Sequence, residues 1–211
     1  MSVRFAAAAA VVIVCSACGS TSSPSPAPDS ASTQPPASTS GNAAVKGRIA
    51  RSLASSSAVI VLEPTAGTEL PVKQHPAIMD QAGYEFFPAS LIAQAGQPVE
   101  FRNSEDILHN VRVTETSTHE PVFNVATLSF GKYEHKFEPG FYDVRCDIHS
   151  AMHASIMVTD SPYTANTAED GSFSISDVRP GKYNLTIYAG AAPVVRAVEV
   201  TSSGTDLGVI Q

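Results

Sequence analysis

The sequence of 211 residues predicts an all-β protein, built from short strands that stack into sandwiches. Three features carry that prediction. The 13 glycines and 15 prolines punctuate the chain, and Val, Thr and Ser are plentiful, a mixture that favours strands and turns over long helices. Apolar residues recur at every second position, as in Phe173 and Ile175 or Tyr183, Leu185 and Ile187, which is the period of a half-buried strand. No stretch carries the apolar period of a long amphipathic helix.

The N-terminus stands apart from this pattern. Arg4 precedes an apolar run from Phe5 to Val14, and small residues follow in Cys15-Ser16-Ala17-Cys18-Gly19. That is the layout of a secretory signal, and the run falls short of the roughly 20 apolar residues that a membrane-spanning helix needs. Residues 1–18 are therefore expected to be a signal peptide with a cleavage site similar to the lipobox of bacterial lipoproteins. The resemblance implies that Cys18 is lipidated and becomes the first residue of the mature chain. Cys15 stands where an aliphatic residue is usual, and the alternative is ordinary cleavage with free secretion. Lipidation at Cys18 would hold the exported chain to a membrane on its periplasmic or extracellular side without a spanning helix. In residues 19–44, Ser and Pro fill half of the positions and there is no hydrophobic period. Such a segment cannot bury enough apolar surface to offset its ordering entropy, so it is expected to be a disordered tether, reaching roughly 25–30 Å as a flexible coil. Cleavage before Cys18 would remove one cation, Arg4, and take the formal charge one unit below −7. An acidic chain without clustered Lys and Arg is a poor ligand for nucleic acid. The charge could steer a basic redox partner, but ordinary solubility is the simpler reading.

From residue 45 the chain reads as strands. Residues 45–49 and 58–62 supply the first two, followed by 89–93, 98–102 and 109–114, then 136–137 and 141–146, most of them bounded by Gly, Pro, Asn or Asp. Residues 92–99 enclose the turn Ala95-Gly96-Gln97-Pro98 and are expected to form a hairpin. Asp170-Gly171 and Pro180-Gly181 mark turns ahead of the alternating segments around Phe173 and Tyr183, and Val195, Val198 and Val200 suggest a last strand. Antiparallel strands joined by tight turns make a small sandwich.

Cysteine usage is the sharpest clue to chemistry. Of the 3 cysteines, Cys15 and Cys18 lie in the leader, so the body of the exported chain contains Cys146 alone. A thiol without a disulfide partner is open to oxidation outside the cell. Cys146 is therefore either a small buried apolar residue or a ligand. His149 and Met152 follow it in Cys146-Asp147-Ile148-His149-Ser150-Ala151-Met152. A thiolate, an imidazole and a thioether on one short loop are donors that suit copper in both oxidation states, the weak thioether tuning the potential. The set needs a second imidazole, and His109 in Leu108-His109-Asn110-Val111 offers one. On strands, His109, Val111 and Val113 share a face, as do Tyr142, Val144 and Cys146, which places both ligands at the edge of a core. His153 and Met157 compete with Met152 for the axial position, and Met152 is preferred. His75, His119 and His135 read as solvated loop histidines.

These residues together resemble the cupredoxins. Phe87-Pro88, Gly96-Gln97-Pro98-Val99-Glu100-Phe101-Arg102-Asn103 and His109-Asn110-Val111 are similar to the segments leading to the first histidine of that family. Pro139-Gly140-Phe141-Tyr142-Asp143-Val144-Arg145-Cys146 is similar to the strand entering its ligand loop. The match runs over residues 74–159, and the spacing of Cys146, His149 and Met152 is that of the short loop in amicyanin-like members. The resemblance implies a cupredoxin Greek-key β-sandwich at 65–159 with one copper ion in a type 1 site, ligated by His109, Cys146, His149 and Met152. It also implies that hydrogen bonds of Asn110 tie the two ligand segments together. Ser150 and Ala151 stand where many relatives carry Pro and an aromatic residue, so a hydrophobic docking patch around His149 is not expected.

Residues 168–185 resemble a carboxypeptidase regulatory-like (transthyretin-like) module. Such modules begin with a Gly-centred strand and an apolar strand, as in residues 46–49 and 58–62. Residues 45–64 and 160–211 are thus expected to form a second small β-sandwich into which the cupredoxin is inserted; the alternative adds 45–64 to the cupredoxin sheet. No carboxylate pair or nucleophile triad is visible in this module, so its expected role is structural or docking. The function expected is that of a blue copper protein passing single electrons at a membrane surface outside the cytoplasm, with His149 as the electron port and a redox protein as partner. A copper carrier or buffer without redox turnover is the alternative, although the chain has only 4 methionines. An enzyme is not expected, because the His-x-His pairs of multicopper catalysts are missing, and no small-molecule substrate is evident.

Overall fold

The computed structural model describes residues 42–52, 57–65, 70–190 and 192–211. The signal peptide, Cys18 and residues 19–41 of the expected tether lie outside the described residues. Among the described residues all regular structure is β, in 16 strands, as the composition and the two-residue period predict. No helix among them is long and apolar enough to cross a membrane.

The first sandwich pairs a four-stranded sheet with a five-stranded one. The four-stranded sheet has the order β4 (Glu85–Phe87), β3 (Ala77–Ala82), β6 (Pro98–Asn103), β9 (Lys132–Lys136). The five-stranded sheet has the order β5 (Ser90–Gln94), β11 (His153–Thr159), β10 (Gly140–Arg145), β7 (His109–Glu115), β8 (Pro121–Thr127). Strand β3 runs parallel to β6 and β5 parallel to β11, and the remaining pairs are antiparallel. Met79, Phe86, Val99 and Phe101 from the first sheet meet Val111, Val113, Val144 and Ile156 from the second in one core. Burying each of the larger side chains contributes about 1.5–3 kcal/mol. The ring of Phe101 lies edge-on to Phe123 and Phe137, at 5.6 and 6.3 Å between centroids, and so fixes the gap between the layers.

Residues 92–99 are not a hairpin. Strand β5 pairs with β11, whereas β6 pairs with β3 and β9, so the turn at Ala95–Gln97 carries the chain from one layer to the other. Gly96 sits there at a φ of 76°, and Gln97 closes the arch by donating its N–H to the Gln94 carbonyl at 2.9 Å. Leu91, Ala93, Val99 and Phe101 all face the core, but from opposite sheets. Alternation alone cannot separate that arrangement from a hairpin. Of the segment read as a strand at 136–137, Lys136 is the last residue of β9 and Phe137 lies just past it.

The second sandwich contains a three-stranded sheet in the order β13 (Ser172–Val178), β1 (Ala43–Ile49), β16 (Thr205–Ile210). Its other sheet has the order β12 (Thr164–Asn166), β2 (Val59–Pro64), β14 (Gly181–Tyr188), β15 (Val194–Val200). Strand β1 begins at Ala43 because Ala43 and Val45 are already buried in this sandwich's core. It pairs with β13 and β16, and β2 pairs with β12 and β14. Gly171, at a φ of 82°, is required in the turn before β13: a Cβ there would stand 2.4 Å from the Ile49 carbonyl oxygen. The two sandwiches touch through the outer face of the five-stranded sheet. Phe141 meets Tyr188 at 5.7 Å between ring centroids, and Gln94 donates from Nε2 to the Asp160 carbonyl at 3.0 Å.

Candidate metal centre

One end of the first sandwich gathers the donors. In the β7–β10 register Val144 faces Val113 and Arg145 faces Arg112, so Cys146 leaves β10 beside the start of β7, where His109 stands. The loop from Cys146 folds back on itself: the N–H of Met152 donates to the His149 carbonyl at 2.9 Å, and that of Cys146 to the Met152 carbonyl at 3.2 Å. His109 is fully buried, Cys146 is 3% exposed, and His149 is half-buried. Nδ1 of His109 lies 3.0 Å from Nδ1 of His149, whose Nδ1 lies 3.9 Å from Cys146 Sγ. The donor atoms of these residues all fall within 4.8 Å of one another.

A polar frame holds the donors. Asn110 Oδ1 accepts the backbone N–H of Asp147 at 2.6 Å and that of Ile148 at 3.4 Å. Its Nδ2 donates to Asn124 Oδ1 at 2.8 Å and to Asp147 Oδ2 at 3.2 Å. The residue beside His109 thus clamps the first turn of the loop that carries Cys146 and His149. Asp147 also receives Asn124 Nδ2 at 2.9 Å and pairs with Arg112 Nε at 3.2 Å. Behind them the fully buried Gln81 donates to the Asn110 carbonyl at 3.2 Å and accepts from Thr127 Oγ1 at 2.6 Å.

Glu105 was not singled out from the sequence, and its place in the centre is direct. Its Oε2 lies 2.9 Å from His109 Nε2, and its Oε1 accepts the Gly83 backbone N–H at 2.9 Å. The Gly83 N–H, and next the His109 ring, hold its carboxyl below the ordinary carboxylate range. An imidazole nitrogen facing a carboxylate carries the proton, which leaves the lone pair of His109 on Nδ1, pointing at His149 and Cys146. Tyr84 was missed as well; its ring stands edge-on to His149 at 5.0 Å and to His109 at 6.2 Å. Gly83 in a turn was the available sequence signal, but nothing local linked it to histidines so far along the chain.

The other sequence candidates sort by position. Met152 is 1% exposed and belongs to the same buried cluster as Cys146. His153 is exposed, its Nδ1 2.9 Å from the Ala151 carbonyl. Met157 lies on the face of β11 opposite Ile156 and Val158, across from Phe141, and is outside that cluster. His75 and His119 are exposed. His135 is not a solvated loop residue: it lies half-buried in β9 between the rings of Phe123 and Phe137, at 4.9 and 4.7 Å, and burial lowers its pKa. Ser150 and Ala151 are exposed, and Tyr84, Leu108 and Ile148, the last two next to His109 and His149 in the chain, are each about half exposed.

Two imidazole nitrogens and a thiol sulfur, turned toward one another in a nearly dry pocket, fit a first-row transition ion, which sits about 2.0–2.3 Å from such atoms. The mixed nitrogen and sulfur set suits copper in particular. Comparisons with solved structures return cupredoxins. A single-substitution variant of amicyanin in its Cu(I) state is 20% identical, covering 47% of this chain and 97% of its own, at a TM-score of 0.36. A purple cupredoxin from Nitrosopumilus maritimus is 20% identical over 39% of this chain and 98% of its own, at a TM-score of 0.35. A copper-containing nitrite reductase from Thermus scotoductus is 27% identical over 46% of this chain but only 25% of its own, at a TM-score of 0.37. A family model described as polysaccharide lyase family 4, domain II, matches residues 147–207. None of the curated proteins matches the chain.

Proposed function

We propose that this chain is a type 1 copper protein that passes single electrons, in which His109, Cys146, His149 and Met152 would hold the ion. The observation that carries the reading is the convergence of His109 Nδ1, His149 Nδ1 and Cys146 Sγ within 4.8 Å at one end of the first sandwich. Bound copper would supply a one-electron couple. The chain supplies the constancy that such a couple needs. Glu105 fixes the tautomer and tilt of His109, Asn110 locks the loop to β7, and the core under Cys146 holds its sulfur still. A donor set held this way changes little between oxidation states, which keeps the reorganisation energy low. His149, half-buried on the loop, is the side chain through which electrons leave.

The same proposal takes the protein to be non-enzymatic, exported, anchored to a membrane through a lipidated Cys18, and coupled to a redox protein. The leader pattern supports export and anchoring. Voltammetry of the copper-loaded protein tests the electron-transfer role. A reversible one-electron wave, with the protein surviving repeated cycles unchanged, is the expected result. A site that retains only copper(I) and releases the ion on oxidation would overturn it in favour of a carrier.

A further inference from the structure

We propose that Tyr84 is the cover of this centre: its ring closes the solvent side of both imidazoles and keeps small anions from the metal. The proposal rests on the copper reading above. The ring meets His149 at 5.0 Å with an interplanar angle of 87° and His109 at 6.2 Å with 77°, edge-on to both. It approaches from outside, since Tyr84 is 51% exposed whereas His109 is fully buried.

The backbone beneath the ring is unusual. Ala82 pairs with Glu85, so Gly83 and Tyr84 form a two-residue hairpin turn, with φ values of 63° and 61°. Turns of this type favour Asn, Asp and Gly at the central positions, because a bulky residue is disfavoured in the left-handed region. A tyrosine held there with half of its surface in water is not explained by core burial, and a strained residue beside a site points to a role at that site.

Glu105 supplies the latch. Its Oε1 takes the Gly83 N–H at 2.9 Å while its Oε2 lies 2.9 Å from His109 Nε2. One carboxylate therefore fixes both the turn that carries the ring and the imidazole that the ring covers. A cover of this kind stands between the imidazoles and solvent and would keep water and added anions from the ion.

The test is azide titration of the full chain loaded with copper(II), followed by visible and paramagnetic resonance spectra. Tyr84→Phe keeps the ring, and Tyr84→Gly removes it while suiting the left-handed backbone, so the hairpin persists. The wild type and Tyr84→Phe are expected to keep their spectra, whereas Tyr84→Gly takes up azide about tenfold more tightly or better. Equal azide binding by all three proteins would overturn the cover. A second reading needs no metal: proton NMR of the copper-free protein should show ring-current displacement of the His109 and His149 ring protons, kept in Tyr84→Phe and lost in Tyr84→Gly. Unchanged shifts in Tyr84→Gly would overturn the placement itself. Displacement as expected but no thiolate-to-copper band in the wild type would overturn the copper reading, and the shielding role with it.

Discussion

At the scale of single residues, the side chains that touch the candidate donors frame the centre as much as the donors do. Asn110 is 7% exposed, and its Oδ1 is the acceptor for the Asp147 N–H. Asn110→Ala leaves that N–H without its partner and is expected to cost about 1–3 kcal/mol, measured by urea unfolding, with faster loss of copper to a chelator. Stability and copper retention equal to the wild type would show that the clamp is dispensable. Glu105→Ala frees the ring of His109 and is expected to weaken copper binding roughly 10- to 100-fold, measured by competition with a chelator of known affinity. The cluster of His109, Cys146 and His149 was legible in the sequence because its chemistry is rare and its spacing compact: Cys146 and His149 share one short loop, and His109 precedes an alternating apolar run. Glu105 and Tyr84 were not legible. Their places beside the histidines arise from a contact between the β3–β4 turn and the segment before β7, which no local pattern announces.

At the scale of elements, turns decide which layer a strand joins. Gly171→Ala would drive a Cβ into the Ile49 carbonyl and disturb the bond from the Ile49 N–H to the Gly171 carbonyl. Calorimetry is expected to show a lower melting temperature for the second sandwich, with the copper spectrum intact, because Gly171 lies in a turn of that sandwich. The turn after β7 is held by Glu115, whose carboxylate accepts the N–H of Thr118 at 2.6 Å and the hydroxyls of Thr118 and Ser117. The Thr118 hydroxyl first, then the Thr118 and Ser117 N–H groups, lower its pKa from 4.5 to about 2. A carboxyl with a depressed folded pKa contributes stability that is complete above its unfolded value and lost as pH falls through the folded one. Urea unfolding should therefore find Glu115→Gln less stable than the wild type near neutral pH, with the difference closing between about pH 4.5 and about pH 2. A difference independent of pH would contradict this account of the turn. Strands with clean alternation, such as β7, β10 and β14, were readable in advance. Strand β8 starts with Pro121 and is mostly exposed, and β16 carries Gly208 at a positive φ, so each lacks the signature that betrays a buried strand. The arch between β5 and β6 mimics a hairpin because both arms bury alternate residues.

At the scale of the whole molecule, the all-β class followed from composition and period, and two separate cores carry it. What could not be read was how the layers meet. Val61 and Thr186 are buried yet lie outside the second core, on the side where Tyr188 meets Phe141 of the first sandwich. A buried residue on the solvent face of a strand looks, in sequence, like any other apolar position. The proposed copper would be held through the Cys146 thiolate at one end of the first sandwich. The most direct measurement is the visible and paramagnetic resonance spectrum of the protein after addition of copper(II), beside Cys146→Ser. An intense thiolate-to-copper band in the wild type and none in Cys146→Ser is the predicted result. A wild-type protein that binds copper(II) without that band, or not at all, would contradict the account.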